Sequence, residues 1–316
     1  MAALRRPRTG GRGGAGPGRG PARGAAHPVP DGRPGPGRGG RARRGVPVGL
    51  RTVRTAPEQV ADTVADLLGE GFDLATAPLF RAALVHDGGP EQLLLLVCHH
   101  IIGDGWSSRL LEQELHGTVA ALRDGRTPDL PDLPLRYADA AAWLRSQLTD
   151  ELREDQLSYW RETLTGLPAL ELPTARERAD HRSIDGAGVV VDLPAPAVEA
   201  LLALGRRAGA TPYVVLLTLW TVTLARAAGQ WDFGVGSPHA GRTRPELHGL
   251  VGLFLNTVVL RPGLTPDLSF EDALALVEHT CREAFARHAV PFEAVADAVA
   301  PTRDASRTPC SRPCSR

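Results

Sequence analysis

Apolar and polar positions follow strand and helix patterns along most of the chain after a short first segment. Residues 46–50 alternate as in a half-buried strand, and apolar residues between 57 and 71 recur at helical spacing until two glycines end the pattern. Two further strands are predicted at 80–86 and 92–98. The second of these is apolar at six consecutive positions, which predicts a strand in the centre of a sheet.

The rest of the pattern mixes helices and strands. Either Ser107 or Ser108 is a suitable N-cap for a helix that runs towards Asp124, and a long helix is predicted from Tyr137 to about Thr165. Later elements are predicted as strands at 188–193, 231–236 and 255–261 and helices at about 195–208, 212–228 and 269–287. The pattern therefore predicts an α/β chain of α+β two-layer sandwich lobes.

Composition separates the first 45 residues from the remainder. Residues 1–44 contain 11 Arg and one Asp among many Gly and Pro, so they offer almost nothing to bury and are predicted to be disordered. An RNA-binding arginine-glycine arm is one interpretation, but we favour an uninformative leader or out-of-frame sequence. Because the whole chain has formal net charge zero, the part that folds carries an acidic excess, and we expect no nucleic-acid partner.

Other properties of the whole sequence indicate the cell compartment and the domain limits. No run of about 20 apolar residues exists, so no membrane partner is expected, and four Cys in 316 residues do not form a disulfide framework. We therefore expect a cytoplasmic protein. The predicted organisation is a disordered segment at 1–45, a first lobe at 46–176, part of a second lobe at 177–309 and an aberrant tail at 310–316.

The strongest chemical pattern is the run HHIIGDG at residues 99–105, which directly follows the predicted central strand. Adjacent strand residues point to opposite faces, so His99 and His100 are expected to have different roles. Histidine accepts protons near neutral pH, Asp104 is either a salt-bridge anchor or an orienting partner, and glycine N–H groups such as that of Gly105 suit an oxyanion. Two adjacent histidines have poor metal-ligand spacing, so no metal is expected.

This run fits the HHxxxDG motif of condensation domains of nonribosomal peptide synthetases, which have the chloramphenicol-acetyltransferase-like fold. The motif alone also fits other acyltransferases of that fold and epimerization domains, but further resemblances occur in order along the chain. These are Phe72-Asp73-Leu74, Arg81, Tyr137 with Asp139 and Trp143, Gly241-Arg242, the segment Gly252, Phe254, Asn256, Thr257 and Arg261, then Pro291-Phe292-Glu293 and Arg303-Asp304-Ala305-Ser306-Arg307.

The resemblance implies a two-lobed enzyme that forms an amide bond between acyl and aminoacyl thioesters. Upstream and downstream peptidyl carrier proteins would deliver both on phosphopantetheine arms, an adenylation domain would adjoin, and the domain would bind no cofactor of its own. The Asp-Gly-Trp-Ser run resembles domains that accept an L-configured donor. The roles implied are catalytic for His100, His99, Asp104 and Gly105, substrate-binding for Trp106, Ser107 and Asn256, and structural for Arg81, Tyr137, Asp139, Trp143 and Arg261. Within this scheme His100 is the essential histidine, as a general base or by positioning the amine.

The chain departs from the family at both ends. A Ser-x-Ala-Gln segment and an Arg-His-Glu-x-Leu-Arg segment are missing, and the latter's arginine is the expected partner of Asp104, which we therefore expect to lack a cation. At the other end, Cys310 and Cys314 stand where an apolar strand is expected. We expect truncation or a reading-frame shift near residue 45 and at residue 310. The remaining alternatives are an inactive fragment or docking remnant, and a stand-alone acyltransferase of the same fold.

Overall fold

A computed structural model describes residues 2–6, 47–133, 135–173 and 188–299 of the chain. These residues fall into two compact units, and the first is discontinuous: it contains the described residues up to Arg145 together with Arg242–Phe254, and the second contains the rest. The strands are β1 Ala2–Arg6, β2 Leu50–Arg54, β3 Phe80–His86, β4 Gln92–Cys98, β5 Val235–His239 and β6 Asn256–Leu260. The helices are α1 Val60–Gly69, α2 Gly105–Arg123, α3 Tyr137–Gln147, α4 Asp150–Leu164, α5 Ala195–Arg207, α6 Pro212–Ala228, α7 Phe270–Ala286 and α8 Phe292–Val299.

The first unit is built on a four-stranded sheet in the order β1-β4-β3-β2. Strands β3 and β4 are antiparallel, with Phe80 opposite Cys98 and His86 opposite Gln92, whereas β2 runs parallel to β3. Strand β4 has a neighbour on each side, which confirms the prediction of a central strand. Its carboxyl end is therefore held firmly, and the HHIIGDG run begins there.

Two small cores stabilise this unit. Leu67 of α1 packs with Ala83, Val85 and Leu95 of the sheet, as the helical spacing of 57–71 predicts. A separate cluster joins Ala140 of α3 to the returning segment through three of its side chains, Leu247, Leu250 and Phe254. Burial of these side chains is what attaches residues 242–254 to the first unit.

The second unit has one larger core, formed between its helices and the antiparallel pair β5-β6. Helix α6 contributes Val214, Val215, Leu217, Leu224 and Ala225 to it, and α4 contributes Leu157, Trp160 and Leu164. The indole N–H of Trp160 donates a hydrogen bond to the carbonyl of Arg287 at 3.2 Å, which ties α4 to the end of α7.

The structure differs from the sequence prediction in several elements. Strand β2 begins at Leu50, where a strand at 46–50 was predicted, and β5 begins at Val235, where a strand at 231–236 was predicted. Residues 188–194 form no strand, because no described segment supplies the hydrogen-bonded neighbour that a strand requires, and Val189–Val191 are largely exposed. The long helix predicted from Tyr137 is two helices, since Thr149 caps α4 by accepting a hydrogen bond from the N–H of Leu152. Helix α2 begins before the two serines, with Asp104 as its N-cap.

A further difference lies at the start of the chain. Ala2–Arg6, which was predicted to be disordered, forms a backbone ladder with β4 because that strand would otherwise present an unpaired edge. The disorder predicted for residues 7–45 and the aberrant tail at 310–316 both fall outside the described residues. The unit boundary at Arg145 and the return of Arg242–Phe254 also differ from the lobe limit predicted at residue 176.

Candidate active site

The HHIIGDG run forms a turn between the end of β4 and the start of α2. The backbone N–H of His99 donates to the carbonyl of Leu79 at 3.0 Å, and the His99 Nδ1 atom accepts a hydrogen bond from the N–H of Ile101 at 3.1 Å. The ring of His99 also lies edge-on to Phe72, with 6.3 Å between the ring centroids. Because Nδ1 accepts, a neutral His99 carries its proton on Nε2. His99 is thus held within the turn.

His100 stands in a different environment from His99. It opens a single turn of 3₁₀ helix, His100–Ile102, and its side chain is exposed, whereas His99 is half-buried. The sequence predicts different environments for the two residues, but the cause is the turn and not strand alternation, because β4 ends at Cys98. Of the two imidazoles, His100 is therefore the more accessible to a substrate.

Asp104 is buried and fully hydrogen-bonded. Its Oδ1 accepts from the N–H and from Oγ of Ser107, each at 2.8 Å, and its Oδ2 accepts from the N–H of Phe254 at 3.0 Å. The guanidinium of Arg242 lies 3.2 Å from Oδ1 and 3.4 Å from Oδ2. The expectation that Asp104 lacks a cation is therefore wrong: Arg242 supplies the charge that the missing segment was expected to bring.

Electrostatics keep Asp104 charged in spite of its burial. Removal from water disfavours the carboxylate, but the hydrogen bonds from Ser107 and Phe254 and the charge of Arg242 outweigh that cost, and the pKa of Asp104 is lowered. A buried carboxylate whose pKa is lowered contributes stability above its ordinary pKa and loses it as the pH falls through the lowered value. At neutral pH Asp104 is thus a fixed negative charge that anchors the turn.

Arg242 organises the returning segment as well as the turn. Its Nη1 atom donates to the carbonyls of Leu247 and Leu250 at 2.6 and 2.7 Å, and its guanidinium carbon lies 4.3 Å from the ring centroid of Phe254. The sequence motif includes Gly241-Arg242 as a family resemblance but predicts no role for Arg242. Its partner Asp104 is 138 residues away in the chain, and sequence spacing contains no signal for such a pair.

Ser107 belongs to the same network and was predicted to bind substrate. It is 1% exposed, and its Oγ accepts from Arg242 Nη2 at 3.0 Å and from the N–H of Gly252 at 3.1 Å. The hydroxyl proton is directed to Asp104 Oδ1 or to the carbonyl of Gly252, both 2.8 Å away. With its hydrogen-bonding capacity used inside the unit, Ser107 stabilises the network and is not available to a substrate.

The other residues near the turn differ in accessibility. Trp106 is 41% exposed, and its indole N–H donates to the carbonyl of His248 at 2.9 Å, so the ring is held in place and partly accessible. Gly105 is the first residue of α2, and an added Cβ would meet nothing within 4 Å. Packing therefore does not require glycine at 105. The substrate and oxyanion roles expected for Trp106 and Gly105 stay predictions.

Tyr137 attaches α3 to the returning segment. Its hydroxyl donates to the carbonyl of Leu253 at 2.8 Å, and its ring lies 5.1 Å from that of Phe254, nearly perpendicular to it. A Cβ at Gly252 would lie 2.0 Å from a ring carbon of Tyr137, so this position has room only for glycine. The geometry agrees with a structural role for Tyr137.

Three further motif residues also make structural contacts in the first unit. Arg81 donates to the carbonyls of Glu70 and Gly71 and covers the ring of Phe72 at 4.0 Å. Asp139 is exposed and pairs with Arg136 at 3.3 Å. The guanidinium carbon of Arg244 lies 5.1 Å from the ring centroid of Trp143.

Asn256 and Arg261 lie in the second unit. The Asn256 amide donates to the carbonyls of His288 and Val290 at 2.7 and 2.8 Å, and its oxygen accepts from the N–H of Thr257 and of Phe292. This amide has no capacity left for a substrate, which contradicts the substrate contact expected for Asn256. Arg261 makes a bidentate ion pair with Asp232 at 2.7 and 2.8 Å and donates to the carbonyls of Thr163 and Thr165, a structural arrangement.

The described residues also bear on metal binding and on membrane insertion. No group of three or more His, Cys, Asp or Glu side chains there is placed to hold a metal ion. No single helix in this part of the chain has the length and apolar character to cross a membrane; α5 and α6 reach both only as a pair bent by 113°. Cys310, Cys314 and the Arg303–Arg307 motif lie beyond these residues.

The chain belongs to the condensation domain family, whose model matches residues 50–313. It is 42% identical over 239 residues to one of the linear gramicidin synthase proteins of Brevibacillus parabrevis, and 39% identical over 239 residues to the phosphinothricin tripeptide synthetase PhsC of Streptomyces viridochromogenes. Each match covers 75% of this chain but only 3% and 22% of those synthetases. The resemblance to condensation domains of peptide synthetases is thereby confirmed.

Solved structures agree with this membership. The X-domain from teicoplanin biosynthesis, known alone and in a complex with OxyB, superposes with a TM-score of 0.76 at 26% identity over 87% of this chain and 62% of that one. The mixed α/β fold predicted from the sequence, of the chloramphenicol-acetyltransferase-like kind, is confirmed.

Proposed function

We propose that this chain catalyses amide-bond formation between an acyl thioester and an aminoacyl thioester, each carried by a peptidyl carrier protein. The observation that supports this most strongly is the exposed His100, mounted on a turn that Asp104 and Arg242 hold rigidly at the end of a central strand. Catalytic groups need this combination of a fixed backbone and an accessible side chain.

The reaction requires one nucleophilic substitution at a carbonyl carbon. The amine nitrogen of the aminoacyl group attacks the acyl thioester, the C–N bond forms, the C–S bond breaks, and the upstream phosphopantetheine leaves as a thiol. The His100 imidazole accepts the proton that the amine loses and returns it to the departing sulfur, so no proton is gained or lost overall. Asp104 and Arg242 take no part in proton transfer, because they act by positioning the turn.

Carrier proteins loaded with defined thioesters test the proposal. The donor carrier bears an acyl group and the acceptor carrier an aminoacyl group, and mass spectrometry of the acceptor detects the joined product. His100→Ala is expected to lower the yield per unit time by about 10²-fold or more, as loss of a general base does. His116→Ala is the matched control, since His116 is another exposed histidine, on α2. Absence of product with the unaltered chain, or an unchanged rate with His100→Ala, contradicts the proposal.

A docking function is the second candidate, and the X-domain reported in complex with OxyB favours it. A docking module binds its partner without chemistry, so its affinity does not depend on His100. Fluorescence anisotropy with a labelled carrier protein separates the two functions. Tight carrier binding that His100→Ala leaves unchanged, with no product from the unaltered chain, supports docking in place of condensation.

A further inference from the structure

An apolar cavity of about 120 Å³ lies in the first unit beside the HHIIGDG turn. Its walls come from the carboxyl end of α1, the start of β3, the end of β4 and the first turns of α2. The side chains that define it are Leu68, Phe80, Leu96, Cys98, Ser108 and Leu111.

The cavity and the turn share the same supports. Cys98 is the last residue of β4 and stands two residues before His100, so the two Cα atoms are at most about 7 Å apart. On the other wall, both the N–H and the Oγ of Ser108 donate to the carbonyl of Asp104, at 3.0 and 3.2 Å. The network that anchors the turn thus also fixes the cavity relative to His100.

The lining suits an apolar ligand. Cys98 is a free thiol whose pKa is raised by burial, so it is uncharged at neutral pH and a weak nucleophile. The Ser108 hydroxyl already donates within the unit, and the other walls are aliphatic or aromatic. The lining is mainly apolar, so an apolar group that enters is removed from water, whereas a charged group would lose hydration on entering without gaining a partner.

We propose that this cavity binds the apolar end of the acyl group whose thioester carbonyl reacts at His100, and that it selects acyl groups of four or five carbon atoms. The inference rests on the proposed function. The size follows from comparison with a cavity of about 150 Å³ that accommodates benzene, a molecule of six carbons. Each methylene that enters strengthens binding about fourfold, until the cavity is full.

Chemical protection of Cys98 tests occupancy without depending on amide formation. Because the raised pKa of Cys98 slows alkylation, the labelling uses excess iodoacetamide at alkaline pH in a Cys310→Ser/Cys314→Ser background, in which the buried Cys281 is the other thiol. The N-acetylcysteamine thioester of 3-methylbutanoate should slow labelling of Cys98 at least fivefold, at a concentration where the acetyl thioester has no effect. Equal labelling with both thioesters overturns the proposal.

Acyl selectivity provides the second readout. Leu111→Phe fills the cavity and should lower transfer of the 3-methylbutanoyl group at least tenfold relative to the acetyl group. Leu115→Phe lies one turn further along α2, outside the cavity, and should leave that ratio unchanged. Because each protein is compared between two donors, a general loss of folding does not imitate the effect.

The two readouts distinguish failure of the cavity assignment from failure of the proposed function. Protection of Cys98 without any amide product leaves the cavity assignment standing and refutes the proposed function. Amide formation whose acyl ratio Leu111→Phe does not alter, together with absent protection, refutes the cavity assignment and leaves the proposed function intact.

Discussion

At the scale of single residues, the buried pair of Asp104 and Arg242 contributes most to holding the HHIIGDG turn in place. Both side chains are at most 3% exposed. Asp104 accepts hydrogen bonds from the N–H groups of Ser107 in α2 and Phe254 in the returning segment, and Arg242 donates to the carbonyl of Leu250 in the same segment. A buried ion pair that is broken on one side leaves an uncompensated charge, which costs far more than an exposed pair does.

Arg242→Gln should therefore lower the free energy of unfolding by about 3–5 kcal/mol. Urea denaturation followed by circular dichroism measures this. Arg161→Gln is the control, because it breaks the exposed pair between Arg161 and Glu154 and should leave the urea midpoint nearly unchanged. Equal urea midpoints for Arg242→Gln and the unaltered chain would show that the pair does not hold the turn.

Gly252→Ala should also destabilise the first unit, by about 1–3 kcal/mol, because the added methyl group overlaps the ring of Tyr137. Gly249→Ala, in the same segment, places its methyl group 3.4 Å from Leu133 Cδ2 and should be tolerated. Thermal unfolding of both variants checks the prediction. If Gly252→Ala and Gly249→Ala melt together, the close packing against Tyr137 is not real.

The sequence did not reveal which polar groups are already hydrogen-bonded within the protein. His99 and His100 do lie in different environments, although both follow the last residue of β4, so the turn and not strand alternation separates them. Ser107 and Asn256 were expected to contact substrate, but their partners are Gly252 and the 288–292 segment, which lie far away in sequence. Whether a polar side chain is satisfied depends on such tertiary partners, which residue type does not reveal.

At the scale of elements, His239 at the end of β5 stacks on His288, which follows α7. The rings of His239 and His288 are 4.0 Å apart between centroids, and the His239 Nδ1 atom accepts from the N–H of Gly241. Burial and the neighbouring His288 lower the pKa of His239 to about 4. Other titratable or charged groups of this region include Tyr213, Cys281 and the Arg287–Glu283 pair.

This pair predicts a pH dependence of stability. In the unfolded chain an imidazole takes up a proton below about pH 6.5, but His239 in the folded protein does so only near pH 4. The stability that neutral His239 contributes is therefore present above pH 6.5 and is lost as the pH falls towards 4. Urea midpoints at pH 7.5 and 5.0 should differ less in His239→Asn, which keeps an acceptor for Gly241, than in the unaltered chain. An unchanged difference contradicts the assignment, and His116→Ala serves as the exposed control.

Elements with strong internal patterns were predicted well, and those that depend on neighbours were not. The alternation and length of β3 and β4 and the helical spacing of α5, α6 and α7 located them to within a few residues. Residues 188–193 have the composition of a strand, but a strand also needs a partner, and none of the described segments provides one. The break between α3 and α4 was available from Thr149 followed by two acidic residues, a recognised N-cap pattern.

At the scale of the molecule, the most informative feature is that the chain leaves the first unit and returns to it. Arg242–Phe254 packs with α3 and closes the network around Asp104, although the sequence on either side of it belongs to the second unit. The HHIIGDG turn is therefore completed by residues from the second half of the chain. A single limit along the sequence, such as the one predicted at residue 176, does not describe such an exchange.

The central claim is that His100 performs the chemistry while the network around it, including His99, keeps the turn in place. Single-turnover measurement of amide formation from loaded carrier proteins, on the unaltered chain, His99→Ala and His100→Ala, tests this directly. His100→Ala should lower the rate by about 10²-fold or more with little change in the urea midpoint. His99→Ala should lower the midpoint, because it removes the hydrogen bond to Ile101, and should affect the rate less. A His100→Ala protein that keeps nearly the full rate, while His99→Ala loses it, would contradict the account.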